Sequence, residues 1–191
     1  MLLGIVSDTH GYFDPHLPPL LQGVDEILHA GDVGSEAVLD QLHLLAPTHA
    51  VQGNVDSAVL GLPPTITKSW GGVLIHILHE LPKAQSVIRD WALAEPLQGK
   101  QAEQCRRFLE GLPDGCRVVI FGHTHEPCAL VLGGRLFFNP GSAGKKRFSL
   151  PRCFGKLEIS DHGVRATFLG LERYNEDLPQ SVDLPIGGGK L

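Results

Sequence analysis

A β-branched apolar run, Arg117-Val118-Val119-Ile120-Phe121, stops at Gly122-His123-Thr124-His125. A run this short and this branched reads as a buried strand, and the glycine ends it. Two histidines two apart then stand on the turn beyond the strand's carboxyl end, where open α/β sheets place their chemistry. Both rings reach one small volume, and imidazole is the commonest metal-ligating side chain. A lone His-x-His on a turn is more often solvated than ligating. Here the pattern recurs. Residues 1–7 run into Asp8-Thr9-His10-Gly11, residues 24–30 into Gly31-Asp32, residues 48–52 into Gly53-Asn54-Val55-Asp56, and Val73–Leu78 into His79. A chain of short strands with polar ends of this kind must bring those ends to one edge to use them.

Between these runs the sequence alternates strand and helix signals. Residues 12–23 hold three prolines, so any helix there is short. Ser35 is a capping residue ahead of a helix whose apolar stripe is Val38, Leu39, Leu42 and Leu45. Residues 65–78 form a hairpin around Ser69–Gly72. Residues 83–111 are helical, with Pro96 and Gly99 separating two stripes and Gly111 placed as a C-terminal cap. Cys128–Leu132 and Arg135–Phe138 flank Gly133-Gly134, a hairpin signal. Residues 152–159 and 163–169 alternate as a closing antiparallel pair. Parallel units come first and hairpins follow, which predicts two sheets packed face to face with helices outside. Residues 1–171 form one domain in this reading, and the glycine-rich stretch 172–191 is a mobile tail.

Composition removes other classes. A net charge of −5 over 191 residues argues against a large nucleic-acid surface. The opening apolar run is too short for a secretory signal, and no stretch is long enough to span a bilayer, so no membrane role and a cytoplasmic location are expected. Cys105, Cys116, Cys128 and Cys153 form no Cys-x-x-Cys pair and read as reduced, buried thiols.

The strand ends together supply Asp8, His10, Asp32, Asn54, His79, His123 and His125, all oxygen or nitrogen donors. That set is large enough for two divalent ions, with a carboxylate such as Asp32 between them. It suits Mn²⁺ best, with Fe, Zn²⁺ or Ni²⁺ as alternatives, rather than a thiophilic ion. Two ions roughly 3.5–4 Å apart clamp a phosphoryl group and convert a shared water to hydroxide near neutral pH. The chemistry implied is hydrolysis of a small phosphoester by in-line attack, with no Ser or Cys nucleophile. His76 lies on the opposite strand face from His79 and is left out of the set.

The motifs Asp8-x-His10, Gly31-Asp32, Gly53-Asn54, His79 and Gly122-His123-x-His125 resemble the calcineurin-like metallophosphoesterases, and with Asn139-Pro140-Gly141-Ser142 most resemble their small YfcE-type phosphodiesterase branch. The resemblance implies a four-layer αββα sandwich with two mixed sheets. It also implies that Asp8, His10, Asp32 and His125 hold one ion, and that Asp32, Asn54, His79 and His123 hold the other. Two positions depart from the family pattern. Val55 stands where larger members carry a leaving-group histidine after the asparagine, and Glu80 stands where glycine usually follows the histidine. The alternative is a non-catalytic binding scaffold on the same fold, whose ligand set would be incomplete. A structural zinc protein fits less well, because such sites are closed and usually cysteine-rich. Lys145, Lys146 and Arg147 form a basic cluster that either meets anions or is simply solvated.

Overall fold

The computed structural model describes residues 1–94, 96–147, 149–171 and 178–185, apart from the side chain of residue 59. Eleven strands and four α-helices are assigned among them. They are β1 (Leu2–Val6), α1 (Leu17–Leu20), β2 (Glu26–His29), α2 (Glu36–His43), β3 (Thr48–Ala50), β4 (Thr65–Trp70), β5 (Val73–Leu78), α3 (Gln85–Leu93), α4 (Gly99–Glu110), β6 (Val118–Ile120), β7 (Cys128–Leu132), β8 (Arg135–Asn139), β9 (Cys153–Ser160), β10 (Gly163–Gly170) and β11 (Val182–Pro185). The first sheet runs β11-β10-β9-β1-β2-β3 and the second β4-β5-β6-β8-β7.

Both sheets are mixed. β1, β2 and β3 are parallel, as are β5, β6 and β8, while β9, β10, β4 and β7 add antiparallel partners. The parallel strands all point their carboxyl ends at one edge. Strand alternation then sorts the apolar residues into layers. Leu3, Ile5, Val118 and Ile120 meet between the sheets. Val6 and Ile27 face outward under Leu17, Val38 and Leu42 of α1 and α2. Val119 and Phe121 face the other way, against Ile88, Trp91 and Phe108 of α3 and α4. The result is the expected αββα order. Gly4 of β1 leaves room for α1: a Cβ there would lie 2.6 Å from Leu21 Cδ2.

Three local expectations change. Gly111 ends α4 with φ −75°, so the helix closes without a left-handed residue. Ser35 precedes α2 in extended backbone, but its hydroxyl makes no capping bond. The third concerns the C-terminal segment. Val182–Pro185, read as part of a mobile tail, is β11 and pairs antiparallel with Gly163–Ala166. Leu184 is 3% exposed and joins the core between the sheets. Two alternating apolar residues beside a glycine run carry too little periodicity to announce a strand. Residues 172–177 and 186–191, also assigned to that tail, lie outside the described residues.

Candidate metal centre

The loops after β1 and β2 lie side by side as an extension of their ladder. Asp8 N–H donates to Gly31 O at 3.0 Å, His10 N–H to Asp32 O at 2.9 Å and Gly11 N–H to Val33 O at 2.8 Å. To stay in contact while turning, both loops adopt left-handed backbone. Asp8, His10, Asp32, His123 and His125 have φ between 48° and 69°, and they are the only non-glycine residues with positive φ among those described. Each such residue is strained by on the order of 1 kcal/mol or more. Every one belongs to the donor set read from the sequence. Gly34 is required where the two loops touch, since a Cβ there would fall 2.3 Å from Gly11 N.

All seven predicted side chains converge. His10 Nε2 and His125 Nε2 stand 3.1 Å apart, and His125 Nε2 is 3.3 Å from Asp8 Oδ1. Asp32 faces both ways: Oδ2 is 3.7 Å from His10 Nε2, and Oδ1 is 3.4 Å from His79 Nε2. Asn54 Oδ1 lies 2.9 Å from His79 Nε2 and 3.1 Å from His123 Nδ1. Two triads, Asp8/His10/His125 and Asp8/Asp32/His79, each offer donor atoms within 4.8 Å of one another. Asp8 is common to both triads, and Asp32 of the second triad also reaches toward His10 of the first. His76 stays outside and meets Thr67 Oγ1 at 2.8 Å. Glu80 is exposed, with Oε1 3.8 Å from His123 Nε2.

The surroundings aim these donors. His79 Nδ1 donates to Ala30 O at 2.8 Å, which turns Nε2 toward Asp32 and Asn54. Ser7 Oγ donates to Asp8 Oδ2 at 2.6 Å, and the His123 N–H lies 3.2 Å from both Asp8 oxygens. Burial pushes the Asp32 carboxyl up, but bonds from His79 and the Val55 N–H, with the nearby imidazoles, outweigh it and hold the group at about 2. Burial would lower His79, yet the bonds to Asp32 and Ala30 and the Asp8 charge raise it above its ordinary value. At Asp32 and His79 the surroundings therefore favour positive charge. His10 is lowered by burial and by the Arg147 guanidinium. The donor chemistry and this field both fit divalent cations.

Sequence reasoning assigned no role to the residues that fasten the loops. The Asp56 carboxylate accepts N–H groups from Gly34 at 2.7 Å, Gly53 at 2.8 Å and Val33 at 3.1 Å, locking the Asp32 and Asn54 loops together. Asn139 Nδ2 donates to Gly122 O at 2.9 Å, and Gln85 Nε2 to Glu126 O at 3.3 Å, on either side of His123 and His125. Ser142 Oγ donates to Asp8 O at 2.9 Å. Behind the site, Thr9 Oγ1 lies 3.0 Å from both His29 Nε2 and Val33 O. Asp56 stands in the Gly53–Asp56 turn and Asn139 and Ser142 in the Asn-Pro-Gly-Ser motif, whereas Gln85 and His29 carry no sequence signal. Lys145, Lys146 and Arg147 are exposed, with Lys145 Nζ 5.7 Å from the Tyr12 ring centre. The four cysteines are buried thiols outside any disulfide, and burial pushes the Cys153 thiol up to about 12. Among the described residues no helix is long and apolar enough to cross a membrane.

Known proteins share this architecture. A probable metallophosphoesterase of Methanocaldococcus jannaschii is 32% identical over 170 residues, covering 84% of this chain and 77% of that protein. The Vps29 of Entamoeba histolytica crystallised with Zn²⁺ has a TM-score of 0.67 at 24% identity, over 96% of this chain and 99% of that one. The YfcE phosphoesterase of E. coli has a TM-score of 0.62 at 20% identity, over 96% of this chain and all of that one. At these identities the two structures attest the fold alone. The calcineurin-like phosphoesterase superfamily domain matches residues 1–162, and the chain belongs to that superfamily.

Proposed function

We propose that the protein is a phosphodiesterase that uses two divalent cations, Mn²⁺ foremost, to hydrolyse a small phosphoester by in-line attack of water. The observation that carries this reading is the convergence of seven oxygen and nitrogen donors, five of them on strained left-handed backbone. Strain of this kind accumulates where side-chain placement matters more than stability. Asp8, His10, Asp32 and His125 would hold one cation, and Asp32, Asn54, His79 and His123 the other. Bound there, such cations polarise a phosphoryl oxygen and lower the pKa of water. The chain's own part is to fix the donors. Ala30 selects the His79 nitrogen that faces inward, and Ser7 with the His123 N–H orients Asp8. Asp32 stays ionised throughout the neutral range.

No protein nucleophile is needed for this chemistry, and the cysteines are unsuited to it, because burial raises the Cys116, Cys128 and Cys153 thiols. Vps29 adopts the same fold, which keeps a binding scaffold as the second reading. The complete donor set favours the enzyme. The test is elemental analysis of the purified protein together with hydrolysis of bis(4-nitrophenyl) phosphate before and after chelation. Stoichiometric metal with chelator-sensitive, Mn²⁺-restored turnover is expected. Turnover that persists in metal-stripped protein, or metal-loaded protein inert to every phosphoester, would overturn the reading.

A further inference from the structure

β7 is the outer strand of the second sheet, bonded on one side to β8. α3 lies against it, and between the two runs an open groove of about 660 Å³. Its walls include Leu93 of α3, Leu130 of β7, and Pro127, Leu150 and Pro151 from the connecting loops. Leu93 is 80% exposed, which leaves it free to meet a guest. The lining carries two charges, Arg89 and Glu126, and they neutralise each other through an Arg89 Nη2–Glu126 Oε1 bond of 2.7 Å. The remaining surface is chiefly hydrocarbon, and the volume falls in the usual range for an organic ligand.

The groove's lining starts one residue beyond a donor, since Glu126 directly follows His125. Cys128 pairs with Asn139, which holds the Gly122 carbonyl, whereas the far end of β7, Leu132, pairs with Arg135. The groove therefore runs away from the metal centre along β7, roughly 14 Å at the usual rise per residue. Its opposite wall is tied in as well. Pro127 abuts Gly141, where a Cβ would lie 3.4 Å from the proline ring. The next residue, Ser142, donates to Asp8 O, and Arg152, after Pro151, donates to Gly144 O at 2.6 Å. Both walls thus continue loops that carry or brace the donors.

We propose that this groove holds the hydrocarbon part of the substrate, so that the protein acts on phosphodiesters bearing an alkyl or aryl chain of several carbons. The inference rests on the phosphodiesterase reading for the position of the phosphoryl group. It takes its own support from the apolar lining and from walls that extend the loops carrying or bracing the donors. The two charged side chains of the lining, Arg89 and Glu126, are engaged with each other, so the groove offers no net charge to a charged leaving group.

The test compares two non-hydrolysable diester analogues in which both substituents are joined by P–C bonds, hexyl(methyl)phosphinate and dimethylphosphinate, binding to the full-length Mn²⁺-loaded protein by calorimetry. Burying a methylene is worth up to about fourfold in affinity, so the hexyl compound should bind at least about tenfold tighter even if only partly buried. Leu93→Asp and Leu150→Asp, on the groove walls and away from the donors, should reduce that advantage to less than about threefold while leaving methyl-analogue affinity unchanged. Equal affinities in the unaltered protein, or a hexyl advantage that survives both substitutions, would overturn the proposal. Hydrolysis of a methyl 4-nitrophenyl diester is followed in parallel. Its absence alongside an intact hexyl advantage would refute the phosphodiesterase reading and not the groove.

Discussion

The Asp56 carboxylate and the Gly34 amide, 22 residues apart in sequence, meet at 2.7 Å behind the donor cluster. The same carboxylate takes the Gly53 and Val33 amides, so one buried side chain satisfies three backbone donors from two loops. Asp56→Ala should leave all three amides unpaired. Hydrogen bonds to a buried charge contribute about 1.5–3 kcal/mol each and are not additive, so a total loss of about 3 kcal/mol is expected. Thermal denaturation with metal present and absent checks this. The loss should be larger in metal-loaded protein, because the displaced loops carry Asp32 and Asn54.

Asp32 presents one oxygen to each half of the cluster, at 3.7 and 3.4 Å from His10 and His79. His123 is the more exposed donor and touches the cluster through Asn54 and the Asp8 carboxylate. Asp32→Asn should therefore lower occupancy of both metal positions, and His123→Ala of one. Metal-to-protein ratios after gel filtration, with kcat on an activated diester, measure the difference. Equal, mild losses with unaltered metal content would contradict a bridging role.

The Val55 side chain is 57% exposed at the rim, while its N–H donates to Asp32 Oδ1 at 3.1 Å. General acid catalysis typically contributes about 10²–10⁴ in rate. With no imidazole at this position, log(kcat/KM) should fall steeply as leaving-group pKa rises. Val55→His should flatten that slope and help poor leaving groups most, and the backbone bond to Asp32 is unaffected by the change. A flat dependence in the unaltered protein would identify another acid, with Glu80, 3.8 Å from His123, the first to test.

His29 is fully buried, its Nδ1 has no hydrogen-bond partner, and burial lowers it to about 4. The folded state thus binds this proton less readily than the unfolded state. Its effect on stability is absent above about pH 6.5, grows as pH falls toward 4, and levels off below that. By linkage the full loss is about 3 kcal/mol. His29→Leu should remove this component, since the Thr9 hydroxyl still reaches Val33 O. Urea denaturation with chelator present, compared between the two proteins from pH 7.5 to 4, should show curves that diverge only in that window.

The donors were legible in sequence because each follows an abrupt change from apolar to polar at a strand end. Layering was legible from the order of short apolar runs such as Val118 to Phe121 and the helix signals between them. The fastening roles were not, even for Asn139, which heads a motif the sequence shows. Gln85 and Asn139 are 54 positions apart, and their 3.1 Å contact depends on β6 pairing with β8 rather than with its sequence neighbour β7. β11 was illegible for another reason: Leu184 is buried only because β10 supplies the rest of its environment.

Five donors sit where glycine would be the more comfortable residue. For His10 and His123, exchange to glycine would relieve on the order of 1 kcal/mol of backbone strain each while removing a donor. Giving up these candidate donors thus relieves the local backbone. A lineage released from catalysis could shed these side chains and still keep the αββα frame, which suits this architecture to becoming a pure assembly platform. Conversely, a stability-driven redesign of this chain would erase its chemistry first.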